Sequence, residues 1–201
     1  MRPKPPVALP GMRIGLLGGS FNPAHKGHRH ISLAALTRLG LDRLWWVVTP
    51  GNPLKGAADL ATLAERNRDA QRVAAHPRIE VTDFEAALGS AFTADTIAYL
   101  KRRFPGVSFV WVMGGDNLVQ FARWRDWRRI VQMMPVAVLD RPGARHKALA
   151  SRAAHVFAAS RLDESQARAL PLTSPPAWTY LTIPLSEASS TKLRKARKPH
   201  S

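Results

Sequence analysis

The chain has no cysteine, which excludes disulfides, thiolate nucleophiles and cysteine-based zinc sites together. Acidic residues are scarce: 14, against 30 lysines and arginines, leave a formal net charge of +16 over 201 residues. No hydrophobic run approaches the roughly 18 residues a membrane-spanning helix needs. The opening MRPKPPVALPG is too short and proline-rich for a secretory signal, so residues 1–11 are expected to form a flexible leader and the protein to be cytoplasmic. Two phosphate-binding signatures are also missing, since neither G-x-x-x-x-G-K-[ST] nor G-x-G-x-x-G occurs.

What remains is ordinary for a soluble globular protein, with 45% hydrophobic and 22% charged residues. The length fits one domain, residues 12–201, ending in a short basic tail. The positive charge attracts polyanions, either nucleic acid or a phosphorylated small molecule. Its clusters, KRR at 101–103, RWRDWRR at 123–129 and KLRKARK at 192–198, are dispersed. Dispersal argues against one basic arm laid on a duplex, although a general surface bias toward lysine and arginine explains the charge equally well.

Apolar runs alternate with helical patterns. MRIGLL (12–17), RLWWVVTP (43–50), RIEVTDF (78–84), VSFVWVMGG (107–115) and WTYLTIPL (178–185) read as strands, and PVAVLDRPG (135–143) as a strand and turn. Helices are expected from about Gly27 to Leu39, over 59–76 with Asp59 as N-cap, over Thr93–Arg103, over 117–133, over 146–160, and from Ser189 onward. Strands apolar throughout, alternating with helices, predict an α/β fold with a doubly wound, mainly parallel sheet. Ligands in such sheets bind beyond the carboxyl ends of the strands. GGSFNPAHKGH, GGD and RPG follow the first, fourth and fifth strands, so all three polar clusters fall on one rim.

In GGSFNPAHKGH (18–28) the glycines permit close approach of backbone to ligand, and amides there can point at phosphate oxygens. A helix starting near Gly27 directs its dipole at the same space. His25 and His28, three apart, project from one side of that helix start, able to donate hydrogen bonds and to carry charge near neutral pH. Two simpler readings stay open. The glycine pair alone is a common tight turn, and His25, His28 and His30 could form a metal cluster, though no carboxylate accompanies them.

GGSFNPAHKGH resembles the H-x-G-H signature of the nucleotidylyltransferases, and SSTKLR (189–194) resembles their S-S-T-x-[IL]-R signature. WWVVTPGNPLK (45–55), FTADTIAYL (92–100), VMGGDNL (112–118), WRDW (124–127) and AVLDRPG (137–143) are similar, in that order, to segments of the bacterial nicotinate-nucleotide adenylyltransferases. The resemblance covers about residues 12–197. It implies transfer of AMP from ATP to nicotinate mononucleotide with Mg²⁺ assisting, giving deamido-NAD and pyrophosphate. Nicotinamide mononucleotide or another phosphorylated acceptor is the alternative substrate, and an RNA-binding protein on the same fold is the alternative class.

By that resemblance His25, His28 and Arg194 are the expected catalytic residues. Gly18, Gly19, Ser20, Phe21, Lys55, Asp116, Arg141, Ser189 and Ser190 are expected around ATP, with Arg141 toward the adenine. Thr93, Trp124 and Arg125 are expected around the nicotinate ring, Trp124 stacking on it and Trp127 lying in the core. No protein metal site is expected beyond the Mg²⁺ that arrives with ATP. Lys55 has a second reading as a solvated loop lysine, both tryptophans as core, and Arg125 with Asp126 as a surface ion pair. The chain departs from the family pattern at Ala188, usually isoleucine, and at Ser20 and Asn22, usually threonine and aspartate; the last two are expected to keep a polar capping role.

Overall fold

The apolar runs become strands. The computed structural model describes residues 3–51, 60–186, 188 and 190. In it β1 spans Arg13–Gly19, β2 Arg43–Val48, β3 Ile79–Thr82, β4 Ser108–Gly114, β5 Val136–Leu139 and β6 Trp178–Leu181. All pairs are parallel, in the order β3-β2-β1-β4-β5-β6. The strand order therefore reverses between β1 and β4, the position where doubly wound sheets open a crevice for ligands.

The helices are α1 (Lys26–Arg38), α2 (Leu63–Ala74), α3 (Thr93–Arg103), α4 (Gly115–Gln120), α5 (Trp127–Met133), α6 (Arg145–Leu149) and α7 (Arg152–Val156). Consecutive tryptophans show how the sheet is covered. Side chains alternate along a strand, so Trp45 packs on one face with Leu16, Trp111 and residues of α3 and α5. Trp46 packs on the other with Leu17, Val112 and residues of α1 and α2. All three tryptophans are fully buried, and each such side chain contributes roughly 2–3 kcal/mol of transfer free energy.

Several boundaries differ from the sequence reading. The described start of α2 is Leu63, capped by Thr62: its hydroxyl accepts from the Glu65 amide while the Glu65 carboxylate accepts from the Thr62 amide. That reciprocal pair satisfies two otherwise orphaned donors; Asp59 lies outside the described residues. The expected helix over 117–133 is interrupted. After α4 comes a 3₁₀ turn, Phe121–Arg123, then extended Trp124 (φ −72°, ψ 142°) and left-handed Asp126 (φ 54°) before α5. Six residues of uninterrupted helix would turn about 600°, leaving Phe121 and Trp127 about 120° apart. The break lets both rings enter one cluster, 6.1 Å apart.

The span 146–160 divides into α6, α7 and a 3₁₀ turn, and the last strand stops at Leu181. Of the expected C-terminal helix only Ser190 is described. The stretch read as a leader lies against the α3–β4 turn: Gly11 donates its amide to Gly106 O at 2.7 Å, Tyr99 Oη donates to Pro3 O at 3.4 Å, and Ala8 packs on the core. Among the described residues no helix is long and apolar enough to cross a membrane.

Candidate active site

The rim is assembled around the start of α1. His25 is its N-cap: Nδ1 accepts the Gly27 amide at 3.1 Å, and the His25 amide donates to His28 Nδ1 at 3.2 Å. Two imidazoles thus replace the Ser/Thr and Glu of the common capping box, and neither Ser20 nor Asn22 caps this helix. An imidazole that accepts at Nδ1 carries its hydrogen on Nε2. The two rings lie 3.8 Å apart at 30°, so the cap itself presents a pair of Nε2–H donors. His30 is drawn elsewhere, its Nε2 lying 2.6 Å from Pro184 O. Among the described residues no three histidine, aspartate or glutamate groups converge.

Charge at His25 differs from the sequence reading. Burial, reinforced by the Arg141 guanidinium and only partly opposed by Asp116, lowers the His25 pKa to about 4. His25 is therefore neutral at physiological pH, a hydrogen-bond donor rather than a cation.

Arg141 is the hub of the rim. Its Nη2 donates to Ala188 O at 3.1 Å, and its Nε lies 4.0 Å from Asp116 Oδ1. A Cβ on Gly27 would come within 2.9 Å of Arg141 Nη1 and 3.0 Å of Ala188 O, which is why the third residue of H-K-G-H has no side chain. Arg141 thus sits beside the histidines rather than only toward an adenine. The C-terminal segment closes the ring, with Ser190 Oγ donating to Pro23 O at 2.9 Å. Segments 167 residues apart in sequence meet across the β1–β4 crevice.

Other expected site residues take different parts. Phe21 is buried, stacked on Trp46 at 4.9 Å and against His28 at 4.8 Å; its ring shapes the site instead of lining it. Gly18 answers to packing, because a Cβ there would lie 2.5 Å from the Trp111 ring. Gly19 ends β1, and Ser20 begins the loop that follows. Asp116, in the first turn of α4, keeps its side chain 60% exposed at the rim. Lys55, Ser189 and Arg194 lie outside the described residues.

A second corner lies past the end of β4. Trp124 packs edge-on to Trp111 and Phe121, at 6.3 and 5.2 Å, and remains partly exposed. Trp127 is buried against Phe121 and Phe157, as expected of a core residue. Arg125 places its guanidinium 4.4 Å from the Phe92 ring centre and pairs loosely with Asp126 at 3.7 Å. Phe92 is the N-cap of α3, so Thr93, Trp124 and Arg125 are gathered at one place.

Residues 16–196 match the cytidylyltransferase-like family. The Methylorubrum extorquens protein named "Probable nicotinate-nucleotide adenylyltransferase" is 55% identical over 183 residues, covering 91% of this chain and 99% of its own. A Brucella suis protein of the same name is 53% identical over 186 residues, covering 92% and 96%. This chain belongs to the nicotinate-nucleotide adenylyltransferases. A Plasmodium falciparum nicotinic acid mononucleotide adenylyltransferase, solved in complex with NaAD, superposes with a TM-score of 0.70 over 94% of this chain and 85% of that one; at 18% identity it establishes the shared fold.

Two buried polar groups of this adenylyltransferase escaped the sequence reading. Asp140 accepts at Oδ1 from both Tyr180 Oη (2.7 Å) and the Arg141 amide (2.8 Å), orienting the residue that carries the hub guanidinium. Burial and that carboxylate push the Tyr180 pKa upward. Glu85, in the 3₁₀ turn Phe84–Ala87, accepts from Thr96 Oγ1 at 2.6 Å beneath α3, and burial raises its pKa. The D-R-P-G motif contains Asp140 next to Arg141, a signal that was available; Glu85 has no motif that marks it as buried.

Proposed function

We propose that this chain transfers the adenylyl group of ATP to nicotinate mononucleotide, releasing deamido-NAD and pyrophosphate. An oxygen of the mononucleotide phosphate attacks the α-phosphorus in line. The bond from that phosphorus to the bridging oxygen breaks, and pyrophosphate leaves with the electron pair. Such chemistry needs positioning and charge stabilisation more than covalent help from the protein.

Nε2 of His25 and His28 donate to the ATP phosphates, His28 at the α-phosphoryl oxygen where charge grows. Arg141 supplies a fixed cation beside them. Ser190, with Ser189 and Arg194 by resemblance, holds the β- and γ-phosphates, while Lys55 by resemblance reaches the same phosphates and amides of the Gly18–Phe21 stretch complete the cradle. Thr93, Trp124 and Arg125 receive the nicotinate end. Mg²⁺ arriving with ATP would supply neutralisation of phosphate charge, and Asp116 is the rim carboxylate that would lie toward it. A reaction consuming ATP suits the cytoplasm.

The observation that carries this reading is the meeting of the two signatures through Ser190 on Pro23, braced by Arg141 on Ala188 just before the second. The test is pyrophosphate release from Mg-ATP with a panel of acceptors. Release with nicotinate mononucleotide, and at least tenfold less with the nicotinamide form, is expected. Equal or better turnover with the nicotinamide form, phosphopantetheine or glycerol phosphate overturns the acceptor assignment, and no turnover with any overturns the reaction.

A further inference from the structure

One buried cation belongs to none of the groups above. Arg66, in the first turn of α2, is 2% exposed. Arginine is almost never so fully buried without a carboxylate, and among the described residues no carboxylate pairs with it. Among the described residues its guanidinium donates only to main-chain carbonyls: Nε to Ala61 O (2.9 Å), Nη1 to Ser20 O (2.8 Å) and Thr49 O (2.7 Å), Nη2 to Pro50 O (3.2 Å). Ser20 follows β1 and Thr49–Pro50 follow β2. One planar fork therefore grips the two loops that leave adjacent strands at the rim.

The peptide plane carries this grip further. In a trans peptide the carbonyl and the next residue's N–H point in opposite directions. With Ser20 O turned inward to Arg66, the Phe21 N–H is turned away from it. With Pro50 O turned inward, the Gly51 N–H is likewise turned away, whereas Thr49 O precedes a proline that has no N–H. Among the described residues neither the Phe21 nor the Gly51 amide donates to an acceptor. Phe21 also holds φ 45°, a left-handed conformation uncommon outside glycine. It persists where surrounding contacts over-determine it, and Arg66 bonds the adjoining carbonyl.

We propose that Arg66 is a positioning residue for phosphate recognition: by capturing the Ser20 and Pro50 carbonyls from behind, it fixes the Phe21 and Gly51 amides as outward-facing donors for a nucleotide phosphate. The inference rests on the reading of this rim as a nucleotide site. Lysine in place of Arg66 would keep the charge and lose the fork, because an ammonium cannot span carbonyls from three segments in one plane.

Amide-resolved ¹⁵N NMR with inorganic pyrophosphate, and calorimetry with Mg-ATP, test this on wild type, Arg66→Lys and Arg66→Met, below each protein's unfolding transition. Wild type should show downfield shifts at the Phe21 and Gly51 amide protons. Both variants should lose those shifts and bind ATP at least tenfold more weakly, with KM for the acceptor changed less than threefold. The inference is overturned if the wild-type amides do not respond, or if folded Arg66→Lys binds ATP within twofold of wild type. The two readings can fail separately. A wild type that binds pyrophosphate through these amides yet makes no deamido-NAD sinks the reaction alone, and an active wild type with a fully competent Arg66→Lys sinks only the role of Arg66.

Discussion

The two halves of the rim are built differently. Around the start of α1 every group has a fixed partner: the histidines cap the helix, Phe21 wedges against His28, and Arg141 bridges to Ala188. The corner at Thr93, Trp124 and Arg125 is looser, held by edge-on aromatic contacts and an arginine side chain 61% exposed. A pre-organised donor needs no reorganisation as charge develops, so the α1 side is suited to a transition state. The other corner is suited to gripping a flat ring, where stacking gives affinity with little demand on angle.

Removing His28 should separate the halves most strongly. His28→Ala is expected to lower kcat by roughly 10²–10³, the usual cost of one oxyanion donor, with KM for the mononucleotide within threefold. Loss of one cap hydrogen bond should cost about 1 kcal/mol of stability. Steady-state pyrophosphate release and thermal unfolding measure both, and unchanged turnover would place the transition state away from α1.

Acid should next reveal the buried pair. The folded pKa of His25 is about 4 and the unfolded value about 6.5, so below 6.5 the unfolded chain binds the proton and the folded one does not. Stability should fall as pH drops from 6.5 to 4, by about 3 kcal/mol from this group. His25→Asn keeps a good cap and removes the titration, so its stability should be flatter by that amount in urea unfolding at pH 7, 5.5 and 4.5. Glu85, shifted the opposite way, is common to both proteins and drops out of the difference. Parallel curves would mean that His25 is solvated.

The smallest effects belong to the loose corner. Trp124→Ala should raise KM for the mononucleotide roughly tenfold, near 1.4 kcal/mol of lost stacking, and leave KM for ATP unchanged. Arg125→Ala should change either constant no more than about threefold, since exposed pairs and cation–π contacts contribute under about 1 kcal/mol. Equal shifts in both KM values for Trp124→Ala would return that ring to the core and erase the contrast.

Local chemistry was legible wherever one segment supplies its own answer. H-K-G-H announced a helix start with two imidazoles on one side, and Thr93–Arg103 forms a helix with the bounds its pattern predicts. Thr62-x-x-Glu65 is a legible capping box that Asp59 overshadowed. The break at Trp124–Asp126 had no comparable signal, because only the shared core of Phe121 and Trp127 requires it. Arg66 sits among Glu65, Asn67, Arg68 and Asp69, a stretch as polar as any exposed helix face. Loops that arrive from β1 and β2 are what bury it.

The amino-acid order by itself determined the parallel sheet, the positions of its apolar strands and the end of the sheet that carries function. Periodicity and glycine placement act over a few residues, and those properties need nothing more. Tertiary structure alone decided that Arg141 lies on Gly27, that His25 is neutral and that Arg66 holds two loops. Each depends on desolvation or on the approach of segments far apart in the chain, and both arise only when the sheet has closed around them.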